Sequence, residues 1–249
     1  VMIFLALMVI TTDYIGPQKD ISNCESDDQI QVICDFINSE DIVITPDKKF
    51  LFMSQMGSIA PWGENESGYF AIMDLSNNKK IIPKITLEEN TWGEETCSRK
   101  DDDEYGPHGI DLVERNDGRY QIGVISHHPK ESVEMFELKK NDLSWEIIWR
   151  GCVNVPDKFY FNDLSLKKDG SFYASHMYKR DITMNEWFMI ALLKNNSGNI
   201  VLWENSNFTE IEGSEGSSPN GLVLDEESNT LYISYNLDDK VTIFDLSNN

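Results

Sequence analysis

From about residue 30 onward the chain alternates apolar and polar side chains in short runs separated by turn residues. Period-two alternation puts every second side chain on one face, which is the pattern of a half-buried strand. Four times, two such runs flank a tight turn, as in a β-hairpin. These hairpins are IVITPDKKFLFMSQMG after Glu40-Asp41, IDLVERNDGRYQIGVISH after His108-Gly109, LSLKKDGSFYASHMY after Asn162-Asp163, and LVLDEESNTLYISYN after Asn220-Gly221. Further strands are expected at Ile30–Cys34, Gly68–Leu75, Lys79–Ile85, Ser132–Leu138, Trp145–Trp149, Glu186–Leu193, Asn199–Trp203 and Lys240–Leu246, and loops at 86–106, 179–185 and 210–218. No sustained i, i+3, i+4 apolar stripe is present, and β-branched and aromatic residues dominate the apolar segments, so the chain reads as all-β.

Each hairpin has a short polar head; two more strands follow each of the first three hairpins, and one follows the fourth. The heads stand at 40, 108, 162 and 220, spacings of 68, 54 and 58. Four-stranded units at such intervals are the signature of β-propeller blades. An internal match supports the repeat: IMDLSNN at 72–78 and IFDLSNN at 243–249. The first copy continues into another strand, and the second is the end of the given sequence. The expectation is therefore about four blades of an incomplete propeller, since an open array exposes strand edges and core.

VMIFLALMVI at residues 1–10 is too short for a bilayer span of about 20 residues. It fits a signal peptide or hydrophobic anchor, with a polar spacer after it. The expected division is 1–23 for that segment and spacer, and 24–249 for the partial propeller. Association with a membrane or lipid surface through residues 1–10 is part of this expectation. Net charge is −22, from 43 acidic and 21 basic residues, which repels a phosphate backbone and argues against nucleic-acid binding. The four cysteines, Cys24, Cys34, Cys97 and Cys152, form no CxxC pair, so disulfides of undetermined pairing are expected over zinc. Sequons at Asn65, Asn195 and Asn207 suit a secreted glycoprotein.

Three of the four heads bring side-chain oxygens to equivalent places in successive units. Radial repeats would gather Glu40, Asp41, Asn162, Asp163 and Asn220 at one end of a shared axis. Calcium takes such hard oxygen ligands, about six to eight in number; the plainer reading is that these residues only cap turns. His108 is itself a head, and His128, before Pro129, ends the following strand. A histidine pair beside a metal-bound oxygen can deprotonate water, one ring acting as base while the other orients it. His127 and His176 are expected to be hydrogen-bonded structural histidines. No G-x-S-x-G elbow, P-loop or Rossmann fingerprint occurs, so covalent serine chemistry is not expected.

Taken in order, SEDIVITP (39–46), GPHGI (106–110), SHHPKESVEMFEL (126–138), FNDL (161–164) and SPNGLVLD (218–225) resemble the paraoxonase/arylesterase family. The likeness runs from about Cys24 to Asn249. More distantly the chain is similar to other calcium-dependent propeller lactonases and to strictosidine synthase-like proteins. The resemblance implies a six-bladed β-propeller with two calcium ions in its tunnel. It implies that Glu40, Asn162 and Asn220 hold the catalytic ion, and that Asp41, Asp163 and the carbonyl of Ile110 hold a buried structural one. It implies a catalytic dyad of His108 and His128, and Cys24 as one partner of a propeller-closing disulfide. The family's Asp-Asn pair that completes the catalytic shell has no counterpart in the given sequence, and Cys34, Cys97 and Cys152 are not explained by the family pattern.

The function these features predict is a secreted or membrane-anchored extracellular hydrolase that uses calcium to act on small lactones and aryl esters. One alternative is a non-catalytic secreted propeller with calcium as a rivet, acting as a binding scaffold. Another is a gluconolactonase-type sugar lactonase, which keeps the metal heads and has no need of His128.

Overall fold

The structure, a computed structural model, describes residues 23–141 and 145–248. It divides into two compact units, Val1–Phe36 and Ile37–Asn249. The apolar run at 1–10 lies outside the described residues. In the first unit Cys24 is bonded to Cys34, ten residues away in sequence, with Cα atoms 6.0 Å apart. This corrects the reading of Cys24 as a propeller-closing cysteine. The strand expected at Ile30–Cys34 is also absent. There Asp27 Oδ1 accepts from the backbone N–H groups of Gln29 and Ile30, and Ser26 Oγ from that of Val32. These bonds satisfy the backbone through local turns instead of a ladder.

The second unit is a row of four mainly antiparallel sheets in a propeller arrangement. The first blade is β1 (Ser39–Ile44), β2 (Phe50–Gln55), β3 (Tyr69–Asp74) and β4 (Lys79–Ile81). The second is β6 (Pro107–Glu114), β7 (Tyr120–Ser126), β8 (Ser132–Lys140) and β9 (Trp145–Asn154), with β5 (Ile85–Leu87) added parallel to β9 at the outer edge. The third is β10 (Phe161–Leu166), β11 (Phe172–His176), β12 (Asn199–Glu204) and β13 (Asn207–Glu210). The fourth holds β14 (Pro219–Asp225), β15 (Thr230–Tyr235) and β16 (Lys240–Asp245). All four predicted hairpins form. In each the turn is clamped by an aspartate that accepts a backbone N–H two residues on: Asp47 from Lys49, Asp117 from Arg119, Asp169 from Ser171 and Asp225 from Glu227. The turn residue that must take a positive φ is Gly118 or Gly170 in two hairpins, and Lys48 or Asn229 in the others.

The core lies between the faces of neighbouring sheets. Phe52, Phe70 and Ile72 of the first blade meet Ile110, Ile122 and Phe136 of the second. Ile125, Val133 and Met135 of the second meet Phe161, Leu164 and Phe172 of the third. Tyr173 and Ile200 of the third meet Leu222, Leu231 and Ile233 of the fourth. This face-to-face burial holds the four sheets as one row, and it brings β1, β6, β10 and β14 side by side as its inner strands.

The chain from Glu186 to Leu193 departs from the predicted strand. It is part of a helix, α1 (Met184–Leu193), started by a capping box in which Thr183 and Glu186 satisfy each other's backbone N–H. A run of eight residues without strict alternation has no strand signature of its own, and the T-x-x-E cap decides for helix. None of its residues is buried, and Phe188, Met189, Leu192 and Leu193 are exposed. Among the described residues no helix is long and apolar enough to cross a membrane.

Inner strands come close together at Gly109. A Cβ there would lie 2.5 Å from Asp163 Cα and Oδ1 and 2.6 Å from the Asn162 carbonyl oxygen. At the equivalent Gly221 it would meet only Ser234 Oγ, at 3.1 Å. Gly109→Ala is therefore expected to lower the stability by about 1–3 kcal/mol, the usual cost of overpacking against backbone. Gly221→Ala should cost clearly less, because a hydroxyl can move aside. Urea unfolding midpoints of the two variants check the order.

Candidate active site

The four polar heads occupy one structural feature. In each inner hairpin the ladder register shifts between Ser39 and Ile42, Pro107 and Ile110, Phe161 and Leu164, and Pro219 and Leu222. The residues inside these shifts are Glu40-Asp41, His108-Gly109, Asn162-Asp163 and Asn220-Gly221. A β-bulge bends its strand and re-aims side chains out of the ordinary alternation. In the two pairs that end in aspartate it separates two jobs: Glu40 and Asn162 turn toward His108, and Asp41 and Asp163 stitch blades together.

The stitching is explicit. Asp41 accepts from the backbone N–H of Ile110 and of Ile42. Asp163 accepts from those of Leu222 and Leu164. Asp111, in the intervening blade, does the same with Leu166 and Leu112. Each carboxylate thus joins its own inner strand to the next one. Ser54 and Ser175, buried on the neighbouring strands, accept the N–H groups of Asp41 and Asp163 and complete the device. Asp111 and both serines are not among the expected site residues: Ser54 and Ser175 share one place in the repeat, opposite the bulge, whereas Asp111 aligns with Val43, Ser165 and Val223 and has no repeat signal.

These carboxylates carry an electrostatic strain. Burial raises the Asp163 pKa well above the ordinary range, and the charge of Asp41 adds to it. Burial raises Asp41 and Asp111 as well, against the pull of their backbone hydrogen bonds; for Asp41 the charges of Glu40 and Asp111 add to the rise. No ion pair joins Asp41, Asp111 or Asp163 to a cation among the described residues. Two desolvated carboxylates that repel each other call for a proton or a metal ion.

Two of the other first members, Glu40 and Asn162, stand at His108. Its Nε2 lies 3.2 Å from Glu40 Oε1 and 3.2 Å from Asn162 Nδ2. Its Nδ1 lies 2.7 Å from Nε2 of His127. His127 Nδ1 in turn lies 2.8 Å from Glu131 Oε2. His108, His127, Glu131 and Asn162 are all buried. Asn220 makes local bonds: its Oδ1 accepts from Gly221 N–H and its backbone oxygen from Ser175 Oγ. Ile110 meets Asp41 through its N–H.

His108 is thus hydrogen-bonded to His127, whereas His128, the expected partner, stands beside Glu104. Side chains alternate along an extended segment. Ser126 Oγ accepts from Gly106 N–H and from Arg99, on one side. His128 returns to that side, 3.8 Å from Glu104, and is partly exposed. Between them His127 faces the other way, against the ring of Tyr160 with centroids 4.8 Å apart. The Tyr160 hydroxyl, pushed up by burial, stays protonated and donates to Asn65 Oδ1. Asn65 Nδ2 donates to the His127 carbonyl, so this sequon side chain is engaged in the site. The Asn195 and Asn207 sequons lie on exposed residues. His176 is a structural histidine: its Nδ1 meets the Tyr160 backbone, and burial lowers its pKa.

Among the described residues no three His, Cys, Asp or Glu side chains converge as a ready metal site. A cation here would rely on Asn and backbone oxygens besides the carboxylates, which is the donor set that suits calcium. Oxygen donors at three heads and the uncompensated Asp41 and Asp163 fit such an ion. A cleft of about 510 Å³, lined by Tyr178, Ile182, Met189 and Ile190, lies beside α1; no head residue lines it.

A family model described as Arylesterase matches residues 37–249. The chain belongs to the arylesterase family. The matched span begins where the propeller unit begins and takes in all four heads, the two site histidines and Glu131. No curated protein matches the chain. Among solved structures it is similar to a gluconolactonase from Xanthomonas campestris, with 10% identity over 80% of this chain and 54% of that one and a TM-score of 0.46. It is also similar to the β-propeller domain of Swd1 from Myceliophteria thermophila, with 14% identity over 84% of this chain and 54% of that one and a TM-score of 0.45. The arylesterase-family chain spans about half the length of these two structures. Its own two disulfides, Cys24–Cys34 and Cys97–Cys152, fit an oxidising compartment.

Proposed function

We propose that this arylesterase-family protein is a secreted or extracellular hydrolase of lactones and aryl esters, working with calcium. The observation that carries the reading is the buried His108–His127 contact at a bulge head, 2.7 Å long, with oxygen-bearing heads around the free face of His108. Membership of the arylesterase family supports the reaction class.

His108 Nε2 is the nitrogen that faces the heads, and so it is the atom to take a proton from a water molecule there. His127 holds the His108 ring through the other nitrogen and is itself fixed by Glu131 and by the face of Tyr160. Both rings are buried, His108 3% and His127 2% exposed. Glu40, Asn162 and Asn220 would hold one calcium ion, and Asp41, Asp163 and the Ile110 carbonyl a second. A calcium ion bound at the first set would polarise the substrate carbonyl and stabilise the oxyanion.

The test is hydrolysis of a panel of aryl esters and lactones with calcium and after chelation, with melting temperature measured alongside. Calcium at about a hundred times its Kd is expected to add about 2.7 kcal/mol of stability, and turnover should vanish on chelation. The gain has a pH dependence with a definite sign. Asp41 and Asp163 have raised pKa values in the cation-free fold, so their contribution to its stability is full at low pH and is lost as pH rises through those values. Calcium binds the ionised forms. Its stabilisation should therefore be larger at about pH 7.5 than at about pH 5. Calcium-dependent stability without turnover of any ester or lactone would replace this reading with that of a calcium-riveted binding scaffold.

A further inference from the structure

We infer that Glu131 is the positioning residue of the site, setting the direction of the hydrogen-bond chain that runs through His127 to His108; this rests on the hydrolase reading above. Glu131 lies in the loop between β7 and β8, where its side chain is 2% exposed. Both carboxylate oxygens are used. Oε2 meets His127 Nδ1 at 2.8 Å, and Oε1 accepts from the backbone N–H of Phe161 at 3.3 Å, one residue before the Asn162 head. No Lys or Arg is paired with Glu131 among the described residues.

A carboxylate only accepts hydrogen bonds. The hydrogen between Glu131 and His127 therefore sits on His127 Nδ1. That leaves His127 Nε2 as an acceptor, and the short contact to His108 is filled by a hydrogen on His108 Nδ1. In that tautomer His108 Nε2 carries no hydrogen: it accepts from Asn162 Nδ2 at 3.2 Å, and Glu40 Oε1, also 3.2 Å away, adds a repulsion that a cation or a proton at the heads would relieve. One buried carboxylate thus turns two otherwise ambiguous imidazoles into a directed chain whose open end is a base. The second oxygen, on Phe161, fixes the chain to the strand that carries Asn162, so ring orientation and head position are set by a single side chain.

Glu131→Gln tests this because it keeps shape and reverses direction. The amide oxygen can stay on Phe161 N–H, and the amide NH2 then faces His127 Nδ1. His127 must accept there, carry its hydrogen on Nε2 and donate to His108, whose hydrogen moves to Nε2. The base becomes a donor. The expected result with calcium present is a kcat lower by roughly 10²–10⁴-fold with KM within about twofold. Nitrogen NMR of the His127 ring should show the pyrrole-type resonance moving from Nδ1 to Nε2. Glu131→Asp, which keeps the charge, should retain the wild-type tautomer and recover part of kcat. An unchanged His127 tautomer in the folded Gln variant would overturn the assignment. So would equal losses in the Gln and Asp variants that follow their melting temperatures. The ring spectrum is read without substrate, so it decides the role of Glu131 even if the wild-type protein hydrolyses nothing, an outcome that would sink the hydrolase reading alone.

Discussion

His127→Gln is expected to lower ester or lactone hydrolysis by roughly 10²–10⁴-fold, the usual range for removing a member of an acid–base pair. His128→Gln should leave the rate within about twofold. The two residues are neighbours of the same type, so composition and local sequence cannot explain a difference between them. Geometry can. His127 is 2% exposed and touches His108, Glu131 and Tyr160, whereas His128 is partly exposed and faces Glu104. Gln keeps a polar end of similar reach for the Glu131 carboxylate, so the variant should fold and bind substrate. The loss should then appear in kcat more than in KM. Initial rates on one aryl ester for both variants, with circular dichroism as a folding control, decide the matter. A large loss in His128→Gln and none in His127→Gln would restore the pair implied by motif order and reject the site described above.

Arg99→Ala should be the most destabilising single polar substitution outside the heads, by about 3–5 kcal/mol. Arg99 and Glu134 form an ion pair whose side chains are 3% and 0% exposed. Glu134 Oε1 also accepts from Ser132 Oγ at 2.6 Å, and Oε2 from Trp149 Nε1 at 2.7 Å. Arg99 reaches on to the carbonyl oxygens of Glu104 and His128 and covers the ring of Tyr105. Removing the guanidinium leaves a buried carboxylate without its counter-charge, and unties the loop that leads through Gly106 into the His108 head. Adding Glu134→Gln should recover part of the loss, because the stranded charge is then gone; the coupling is expected at about 1–3 kcal/mol. The exposed Lys194–Asp239 pair, with side chains 51% and 85% exposed, is the control and should shift the urea midpoint little when broken. Additive effects at Arg99 and Glu134 would show that the pair is not a unit.

The coupling between these two predictions is structural. Arg99 holds Ser126 and the His128 carbonyl on one side of the segment, and that leaves His127 to face the other. A loss of rate in Arg99→Ala beyond the fraction unfolded is therefore expected.

Much of the fold was legible in the alternation itself. Four hairpins, their aspartate-clamped turns and the heads in front of them follow from period-two patterning and from residues that favour tight turns, both local properties of the chain. The helix at Met184–Leu193 was misread because an apolar run of that length carries no decisive period, while the Thr183–Glu186 cap that starts it is a two-residue signal. The pairing of Cys24 with Cys34 was misread because a cysteine's partner is set by distance in space, which motif order does not contain.

The sequence alone determined that oxygen-bearing and histidine side chains recur at one place in successive units, and so that they would meet if the units were arranged around an axis. It could not say which atom of each would face which. That was decided by the bulge at every head, by the carboxylates of Asp41, Asp111 and Asp163 stitching one inner strand to the next, and by Arg99 holding one side of the Ser126–His128 segment. A period of two tells only that neighbours point opposite ways. Which of His127 and His128 looks inward depends on what stands on either side, and those neighbours come from segments tens of residues away.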